Sequence, residues 1–297
     1  MYKTLRRIVA RSLMRARVAA FGNNHSVLLN YRYRSFLRAA RKKYRPSGTD
    51  TPPSVLEGAK RFRHDGFVIL PSMLAEGPRN EIKDKVDALF AGGVDVLPVG
   101  KGLLRLVDGA ERLPEVVNLL REGIAEIIET YFGSHFKIYN MSFYRTVPDD
   151  NVPESSFLWH FDNCPDQEIK LMIYLDDVTD ETGAFRFKDL QTSERARSLG
   201  FWHRDDYAAA EKIFDDPSTT VVAEGPTGTA ILFRQGRVIH KATAPRMAHR
   251  DVVTMVIIPS LIPWREHYAR TRHLLSTNAG LCKNPWTDEP ENIGYRY

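Results

Sequence analysis

The chain has few cysteines and no long apolar run. Among its 297 residues only Cys164 and Cys282 are cysteines, too few to cross-link a chain of this length. Disulfide-rich secreted proteins are therefore excluded as a class, and a reducing cytoplasm is favoured. The absence of an uninterrupted apolar run argues against a transmembrane helix and against a secretory signal. A hydrophobic content of 43% is enough for a packed core.

Acidic residues are missing from one end of the chain. Residues 1–49 hold 13 of the 42 lysines and arginines and no aspartate or glutamate. The rest of the chain carries 29 cations against 37 carboxylates, a formal charge of −8, so the excess positive charge lies in this segment. We therefore divide the chain into a basic N-terminal segment with its linker, residues 1–52, and a main domain, residues 53–297.

Three interpretations of the basic segment stay open. Leu5, Ile8 and Leu13 fall on one side of a helix flanked by arginines, which favours a helix on an anionic membrane surface, at the inner face if the protein is cytoplasmic. The segment is equally suited to docking on its own acidic body or on a second subunit of a homo-oligomer. A basic lid over a phosphate-bearing substrate, organelle targeting or nucleic-acid contact would give a similar pattern, and nucleic acid is the least favoured partner.

The pattern His-x-Asp occurs three times, and one copy has the context of a metal site. His160-Phe161-Asp162 ends an aromatic-rich extended run, and on a β-strand the side chains at i and i+2 point to the same face. His240 follows a glycine-rich turn and an apolar strand 80 positions later. Two imidazoles and one carboxylate form the facial triad that binds ferrous iron and leaves three adjacent coordination positions open.

The other two copies fit less well. His203-Arg204-Asp205 lies where a loop enters a helix, on which the two side chains would diverge. His249-Arg250-Asp251 opens a long apolar strand, but no histidine follows a domain length downstream. Cys164 is a candidate fourth ligand beside Asp162, although most cysteines in such loops bind no metal.

The segments around the favoured copy alternate between strands and polar turns. In chain order they are the strand 170–175, the turn 176–183, the strand 184–187, the turn 224–229 and the strand 230–233. Four pieces occur in this order: W-H-x-D, L-D-D-x-T-x-x-x-G, G-x-x-G-x-x-x-x-F followed by a distal histidine, and an arginine, here Arg250, ten residues after that histidine, His240. In these pieces and in their order the chain resembles the phytanoyl-CoA 2-hydroxylase-like family of iron and 2-oxoglutarate dioxygenases. The resemblance covers about residues 53–262. It includes residues 62–70, which are similar to a helix end and short strand that precede the barrel in this family. One piece departs from it, since 188–192 stands where family members often have Gly-Ser-His.

The resemblance implies a fold that is mainly β with α additions. This fold is a double-stranded β-helix, the jelly-roll barrel also used by cupins, buttressed by N-terminal helices. The residue patterns predict helices at 54–64, 76–91 and 114–132 and a helical insert between 193 and 214.

The resemblance also implies a set of ligands. His160, Asp162 and His240 would bind Fe(II), and 2-oxoglutarate would chelate the metal through its keto and adjacent carboxylate oxygens. Arg250 is the expected partner of the far carboxylate, because a guanidinium grips a carboxylate with two hydrogen bonds, and Arg246 is the alternative.

Strand alternation adds candidate pocket walls. Met172 shares the more polar face of its strand with Lys170 and Tyr174, and this face would point into the barrel mouth. A polar row on the strand 137–146 consists of Asn140, Ser142 and Tyr144. The resemblance puts this row near the co-substrate, whereas an ordinary cross-strand contact explains each residue equally well.

The expected reaction consumes O2 and 2-oxoglutarate, releases succinate and CO2, and hydroxylates an unactivated C–H bond. The presence of Asp162 argues against halogenation, because related halogenases have a small residue there; desaturation and ring closure stay open. We expect a small or lipid-like substrate, and the basic segment favours an anionic one. Two alternatives are a cupin-like protein that binds without oxidation and an adaptor that contacts membrane or nucleic acid through the basic segment.

Overall fold

The computed structural model describes residues 27–46, 51–72, 74–120, 123–149, 155–272, 275, 282–283 and 290–291. Its main strands, in chain order, are β1 (Phe67–Leu70), β2 (Val96–Gly100), β3 (Leu103–Leu106), β4 (His135–Thr146), β5 (Ile169–Tyr174), β6 (Phe185–Phe187), β7 (Val221–Ala223), β8 (Ala230–Phe233), β9 (His240–Lys241) and β10 (Arg250–Ser260). Two short strands, β11 (Cys282–Lys283) and β12 (Pro290–Glu291), pair with each other.

The helices lie mostly before β4 and between β6 and β7. They are α1 (Val27–Lys43), α2 (Pro53–Asp65), α3 (Glu76–Ala91), α4 (Gly109–Arg112), α5 (Ile124–Phe132), α6 (Leu190–Leu199), α7 (Glu211–Phe214) and α8 (Trp264–Thr271). Short 3₁₀ helices cover Pro114–Leu119, Ser155–Phe157, Arg204–Ala209 and Pro217–Thr219.

Two antiparallel sheets form the barrel. The larger sheet has the order β1-β8-β5-β10-β4-β3-β2, and the smaller one has the order β7-β6-β9. Strands that are distant in sequence are neighbours in both sheets, as expected for a jelly roll. The fold is therefore mainly β with helical additions, as the sequence predicted.

Alternation along β5 and β10 gives the larger sheet two apolar faces. One face packs against the helices and contains Leu171, Ile173, Val253, Met255 and Ile257. The other face contains Met172, Tyr174 and Val252 and meets Phe185 and Phe187 of the smaller sheet. We call the space between the sheets the inner face of the barrel. Side chains at alternate positions of β5 and β10 point into it.

The buried Tyr174 hydroxyl joins the two sheets. It donates a hydrogen bond to the carbonyl of Ala223 on β7 at 2.6 Å and accepts one from the amide of Phe185 on β6 at 3.2 Å. The hydroxyl of one sheet is thus hydrogen-bonded to two backbone groups of the other, and each such bond contributes about 0.5–1.5 kcal/mol.

Helix α1 attaches part of the basic segment to the barrel. Tyr33 and Ala40 are buried, and the Tyr33 hydroxyl donates to Glu168 at 2.7 Å. Arg41 Nε donates to the carbonyl of Phe132 at 2.6 Å. The proposed membrane-binding face at 5–13 lies outside the described residues, and the division at residue 52 stays a prediction. None of the helices in the described part of the chain is long and apolar enough to cross a bilayer.

The prediction of one helix over 114–132 is wrong. The chain forms a 3₁₀ helix at Pro114–Leu119, and α5 begins only at Ile124. Gly123 separates them with φ 98°, a conformation that L side chains rarely adopt and that no helix contains. The predicted insert also starts earlier, at Leu190, because the Asp189 carboxylate caps α6 by accepting the Thr192 amide. The hairpin β2–β3 was not predicted.

Replacing Tyr174 with phenylalanine should lower the free energy of unfolding by about 1–3 kcal/mol, because the two buried hydrogen bonds of the hydroxyl between the sheets are lost. Urea denaturation followed by circular dichroism measures the change. Tyr207→Phe is the matched control, since Tyr207 is 38% exposed and its hydroxyl bonds an exposed Asp215. The control should change stability by less than about 0.5 kcal/mol. Equal losses in the two variants would show that Tyr174 does not join the sheets.

Candidate metal centre

Backbone pairing brings the two histidines together. His160 and His240 form an antiparallel bridge in which each amide donates to the other's carbonyl at 3.1 Å. The amide of Asp162 donates to the carbonyl of Gln235 at 2.9 Å. The imidazole centroids are 4.4 Å apart. The three side chains that the sequence singled out are thus held by main-chain contacts between distant segments.

The hydrogen bonds of the imidazoles fix their tautomers. His160 Nδ1 lies 2.7 Å from the carbonyl of Leu158, and His240 Nδ1 lies 2.9 Å from the carbonyl of Val238. A carbonyl only accepts, so each Nδ1 carries the proton and each Nε2 has a free lone pair. Burial lowers the pKa of His240 to about 3, and the charges of neighbouring groups contribute less. The His240 ring is therefore neutral at physiological pH.

The carboxylate of Asp162 faces both lone pairs. Its Oδ1 lies 3.5 Å from His160 Nε2, and its Oδ2 lies 3.8 Å from His240 Nε2. One ligand atom from each residue lies within 4.8 Å of the others. Burial raises the pKa of Asp162, but the charge of Lys170 and the nearby imidazoles outweigh it and hold that pKa well below its usual range. Two nitrogens and one anionic oxygen on one side of a cavity fit a ferrous ion.

Arg250 is buried on the inner face. It is 3% exposed, and its Nη2 donates to the Thr146 hydroxyl at 3.0 Å. Nη1 donates to the carbonyls of Gly183 and Thr243. Nε is buried and has no hydrogen-bond partner among the described residues. The alternative, Arg246, has a side chain that is 69% exposed and lies 3.7 Å from Asp180. The burial favours Arg250 as the residue that meets a ligand inside the barrel.

The predicted pocket walls share the face of Arg250. Met172 and Ser142 both lie opposite Thr254, and Tyr144 lies opposite Val252, which is packed between the sheets. Ser142 is buried and donates to the side-chain oxygen of Asn140 at 3.1 Å. The inward position of these side chains agrees with strand alternation, and their role toward a co-substrate stays a prediction.

Two inward cations were not assigned a role from the sequence. Lys170 Nζ lies 2.6 Å from Asp162 Oδ2. Arg105 lies opposite Tyr144 on β3, so it shares the inner face, and its buried Nε has no hydrogen-bond partner in the described part of the chain. Alternation had placed Lys170 on the polar face of β5. The strand β3, which contains Arg105, is too short for its sequence to indicate which of its side chains point into the barrel.

The other two His-x-Asp copies lie away from the inner face of the barrel. His203 and Asp205 are 64% and 85% exposed, and their side chains meet at 3.0 Å, where the sequence had suggested that they diverge. His249, Asp251 and Asp87 also have ligand atoms within 4.8 Å of one another. This second group lies on the face opposite Arg250.

Arg145 occupies that second group. Its guanidinium donates to both oxygens of Asp251 at 2.8 and 2.6 Å and reaches Asp87 at 2.5 Å. These bonds use the oxygens that a metal would need, so the group is an ion-pair network. Cys164 is not part of the first group. Burial raises the pKa of its thiol well above the ordinary value.

The insert closes the outer side of the smaller sheet. Trp159 is buried and stacks on Phe214 with centroids 5.9 Å apart, so it packs against the insert. Lys188, which begins the segment that departs from the family pattern, is fully buried. Four acceptors, the carbonyls of Ile213 and Asp216 and two threonine hydroxyls, lie 2.7–3.0 Å from its ammonium and share its three N–H donors. The departure therefore anchors the insert.

Glu168 connects the site to helix α1. The half-buried carboxyl accepts the Tyr33 hydroxyl at 2.7 Å. Burial raises the pKa of Glu168 to about 7, and the charge of Asp162 raises it further, against the opposing effect of the Tyr33 bond. A part of the basic segment is thus hydrogen-bonded to a carboxyl group that the charge of Asp162 reaches.

Comparison with known proteins supports the fold. No protein-family model matches the chain. The chain is 22% identical over 253 residues to L-proline trans-4-hydroxylase of Streptomyces griseoviridis, covering 76% of this chain and 94% of that protein.

Solved structures give the same result. The non-heme α-ketoglutarate-dependent carbocyclase SnoK from nogalamycin biosynthesis superposes with a TM-score of 0.53 at 18% identity, covering 74% of this chain and 94% of that one. EctD from S. alaskensis with bound Fe gives 0.52 at 15% identity, covering 72% and 80%. At this identity the likeness establishes the jelly-roll fold. These matches do not single out the phytanoyl-CoA branch.

In the metal-free protein, the contribution of Glu168 to stability should fall as the pH rises from about 4.5 to 7. The folded state keeps a proton on Glu168, with its pKa of about 7, that the unfolded chain releases near 4.5, whereas His240, with its pKa lowered to about 3, contributes the opposite change below about 6.5. Glu168→Gln should therefore remove the decrease that Glu168 contributes, and the free energy of unfolding should rise more steeply with pH than in the wild type. Urea denaturation at several pH values measures it, with Glu126→Gln, on the exposed side of α5, as the control. An unchanged slope in Glu168→Gln would show that Glu168 titrates normally.

Proposed function

We propose that this protein is an Fe(II)- and 2-oxoglutarate-dependent dioxygenase that hydroxylates an unactivated C–H bond of a small anionic substrate. One observation carries the proposal. Two imidazoles with fixed tautomers and one carboxylate converge at one side of the barrel, and a buried guanidinium stands on the same inner face. The W-H-x-D motif supports the phytanoyl-CoA 2-hydroxylase-like branch.

Each residue then has a defined task. His160 Nε2, His240 Nε2 and an Asp162 oxygen would hold Fe(II), and Arg250 would pair with the far carboxylate of 2-oxoglutarate. Met172, Ser142 and Tyr144 would line the space of the co-substrate. When bound, iron, 2-oxoglutarate and O2 supply the oxidising chemistry, with succinate and CO2 as products. The protein's part is to orient these groups and the substrate and to exclude water.

The inner face supports an anionic substrate. Arg105 and Lys170 both point to the cavity side of the larger sheet, and the neighbouring Ser142 and Thr254 offer hydroxyl groups. The curated relative is named for hydroxylation of an amino acid, L-proline, which carries a carboxylate. We infer that the substrate belongs to this class of small carboxylates, and that α1 borders its entry path.

Anaerobic addition of ferrous iron and 2-oxoglutarate should produce the weak visible charge-transfer band of the chelate. His160→Ala should abolish the band, because an alanine offers the metal no ligand, whereas His203→Ala, which removes an exposed histidine, should retain it. Succinate release over pools of small carboxylates then identifies the substrate. Wild-type protein that binds 2-oxoglutarate without a band, or gives a band without any succinate, would favour a non-oxidative binding protein.

Arg250→Met should weaken 2-oxoglutarate binding by about 2–5 kcal/mol, which is roughly 30-fold or more, because the far carboxylate loses a buried charged partner. Arg246→Met should change the dissociation constant by less than about threefold, since this side chain is exposed. Isothermal titration with iron-loaded protein measures both. Arg250→Lys keeps the charge for the case in which the methionine variant unfolds. A larger loss in Arg246→Met than in Arg250→Met would reverse the assignment.

A further inference from the structure

The carboxylate of Asp162 is placed so that both of its oxygens can reach the same metal. Oδ1 is the oxygen nearer His160 Nε2, at 3.5 Å, and Oδ2 is the one nearer His240 Nε2, at 3.8 Å. An ion held by both imidazoles would therefore have either oxygen within reach. If both bound, Asp162 would take one of the three positions that a facial triad leaves open. The co-substrate chelate needs two of these, and none would remain for O2.

Lys170 forms a hydrogen bond with one of the two carboxylate oxygens of Asp162. Its ammonium donates to Oδ2 at 2.6 Å, a short charge-assisted hydrogen bond. The lysine is on β5, between Phe233 on β8 and Val256 on β10, and its side chain is 22% exposed. The ammonium also lies 5.7 Å from the centre of the Phe233 ring. The apolar surroundings weaken competition from water, so the bond to Asp162 is strong.

We propose that Lys170 is a positioning residue that holds Oδ2 of Asp162, limits the carboxylate to one metal bond and so keeps a coordination position open. This inference rests on the proposed function. It adds Lys170 to the residues of the metal site, although Lys170 is not part of the His-x-Asp motif, and it explains why this residue is positively charged. A methionine or leucine at position 170 would fill the same space between apolar neighbours at no cost of burying an ammonium. The lysine therefore suggests a task beyond packing.

The proposal predicts effects of opposite sign on two ligands. Removing the ammonium takes a positive charge away from a divalent cation and frees Oδ2 to bind it, so the metal alone should bind as tightly as before or more tightly. The co-substrate should bind more weakly, because a second carboxylate oxygen on the metal leaves it only the last two positions and adds negative charge beside an anionic chelate. If Lys170 only supports the local structure, its loss should weaken both ligands together.

The test uses Lys170→Met, which is close to isosteric and uncharged, and Lys170→Arg, which keeps a charged donor. Lys241→Met is the matched control. Lys241 follows His240 directly, but its ammonium lies over the Trp159 ring at 4.9 Å, on the outer side of the smaller sheet. Lys170→Gln is a second uncharged variant in case the methionine variant does not fold, as judged by thermal unfolding.

Two titrations are made under anaerobic conditions. Cobalt(II) alone reports metal affinity and, through its visible spectrum, the coordination number; ferrous iron followed by 2-oxoglutarate reports the chelate through its charge-transfer band. For Lys170→Met we expect an equal or lower dissociation constant for cobalt, a cobalt spectrum shifted toward a higher coordination number, and a dissociation constant for 2-oxoglutarate raised by about tenfold. Lys170→Arg should restore the wild-type values, and Lys241→Met should keep them.

Two results would overturn the role of Lys170. One is an equal loss of affinity for cobalt and for 2-oxoglutarate in Lys170→Met. The other is an unchanged affinity for 2-oxoglutarate together with an unchanged cobalt spectrum. A wild-type protein that gives no charge-transfer band is a different failure, since it contradicts the proposed function itself. The two failures are thus distinguished by the wild-type titration.

Discussion

The antiparallel bridge between His160 and His240 is the constraint on which the candidate site depends. Two reciprocal backbone hydrogen bonds join segments that are 80 positions apart and fix the distance between the imidazoles. Because these bonds use main-chain groups, the side chains are left free to present their Nε2 atoms to a ligand. The neighbouring hydrogen bond from the Asp162 amide to the Gln235 carbonyl holds the backbone of Asp162 next to this bridge. The rest of the barrel serves to hold these segments against each other.

The charged side chains inside the barrel are paired with other groups of the protein. The inner face carries Asp162, Lys170 and Arg250, and each has a partner that offsets part of the cost of its burial. Arg250 nevertheless keeps a buried Nε without a described partner, and Arg105 does the same on β3. A carboxylate bound on the inner face could accept a hydrogen bond from either of these donors. The acidic and basic groups outside the barrel, around Arg145, are already paired with one another.

The larger strands and the metal motif were predictable because their signals are local. Alternating apolar residues define β5 and β10, and the i, i+2 spacing places His160 and Asp162 on one side wherever the backbone is extended. The break before α5 was missed because helical periodicity continues across Gly123, and only its positive φ shows that the chain turns there. Arg105 was missed because the short strand β3 gains its facing only by pairing with β4.

The sequence alone determined the kinds of groups available: two histidines and an aspartate with metal-site spacing, an arginine after the distal histidine, and a body whose negative charge contrasts with its basic segment. Only the tertiary structure decided which of them meet. It placed Arg250 inside and Arg246 outside, bound the third His-x-Asp copy to Arg145, and set Lys170 against Asp162. The physical reason is that spacing along a strand fixes the face of a side chain. Its partner across the barrel depends on strand order and register, which no local pattern encodes.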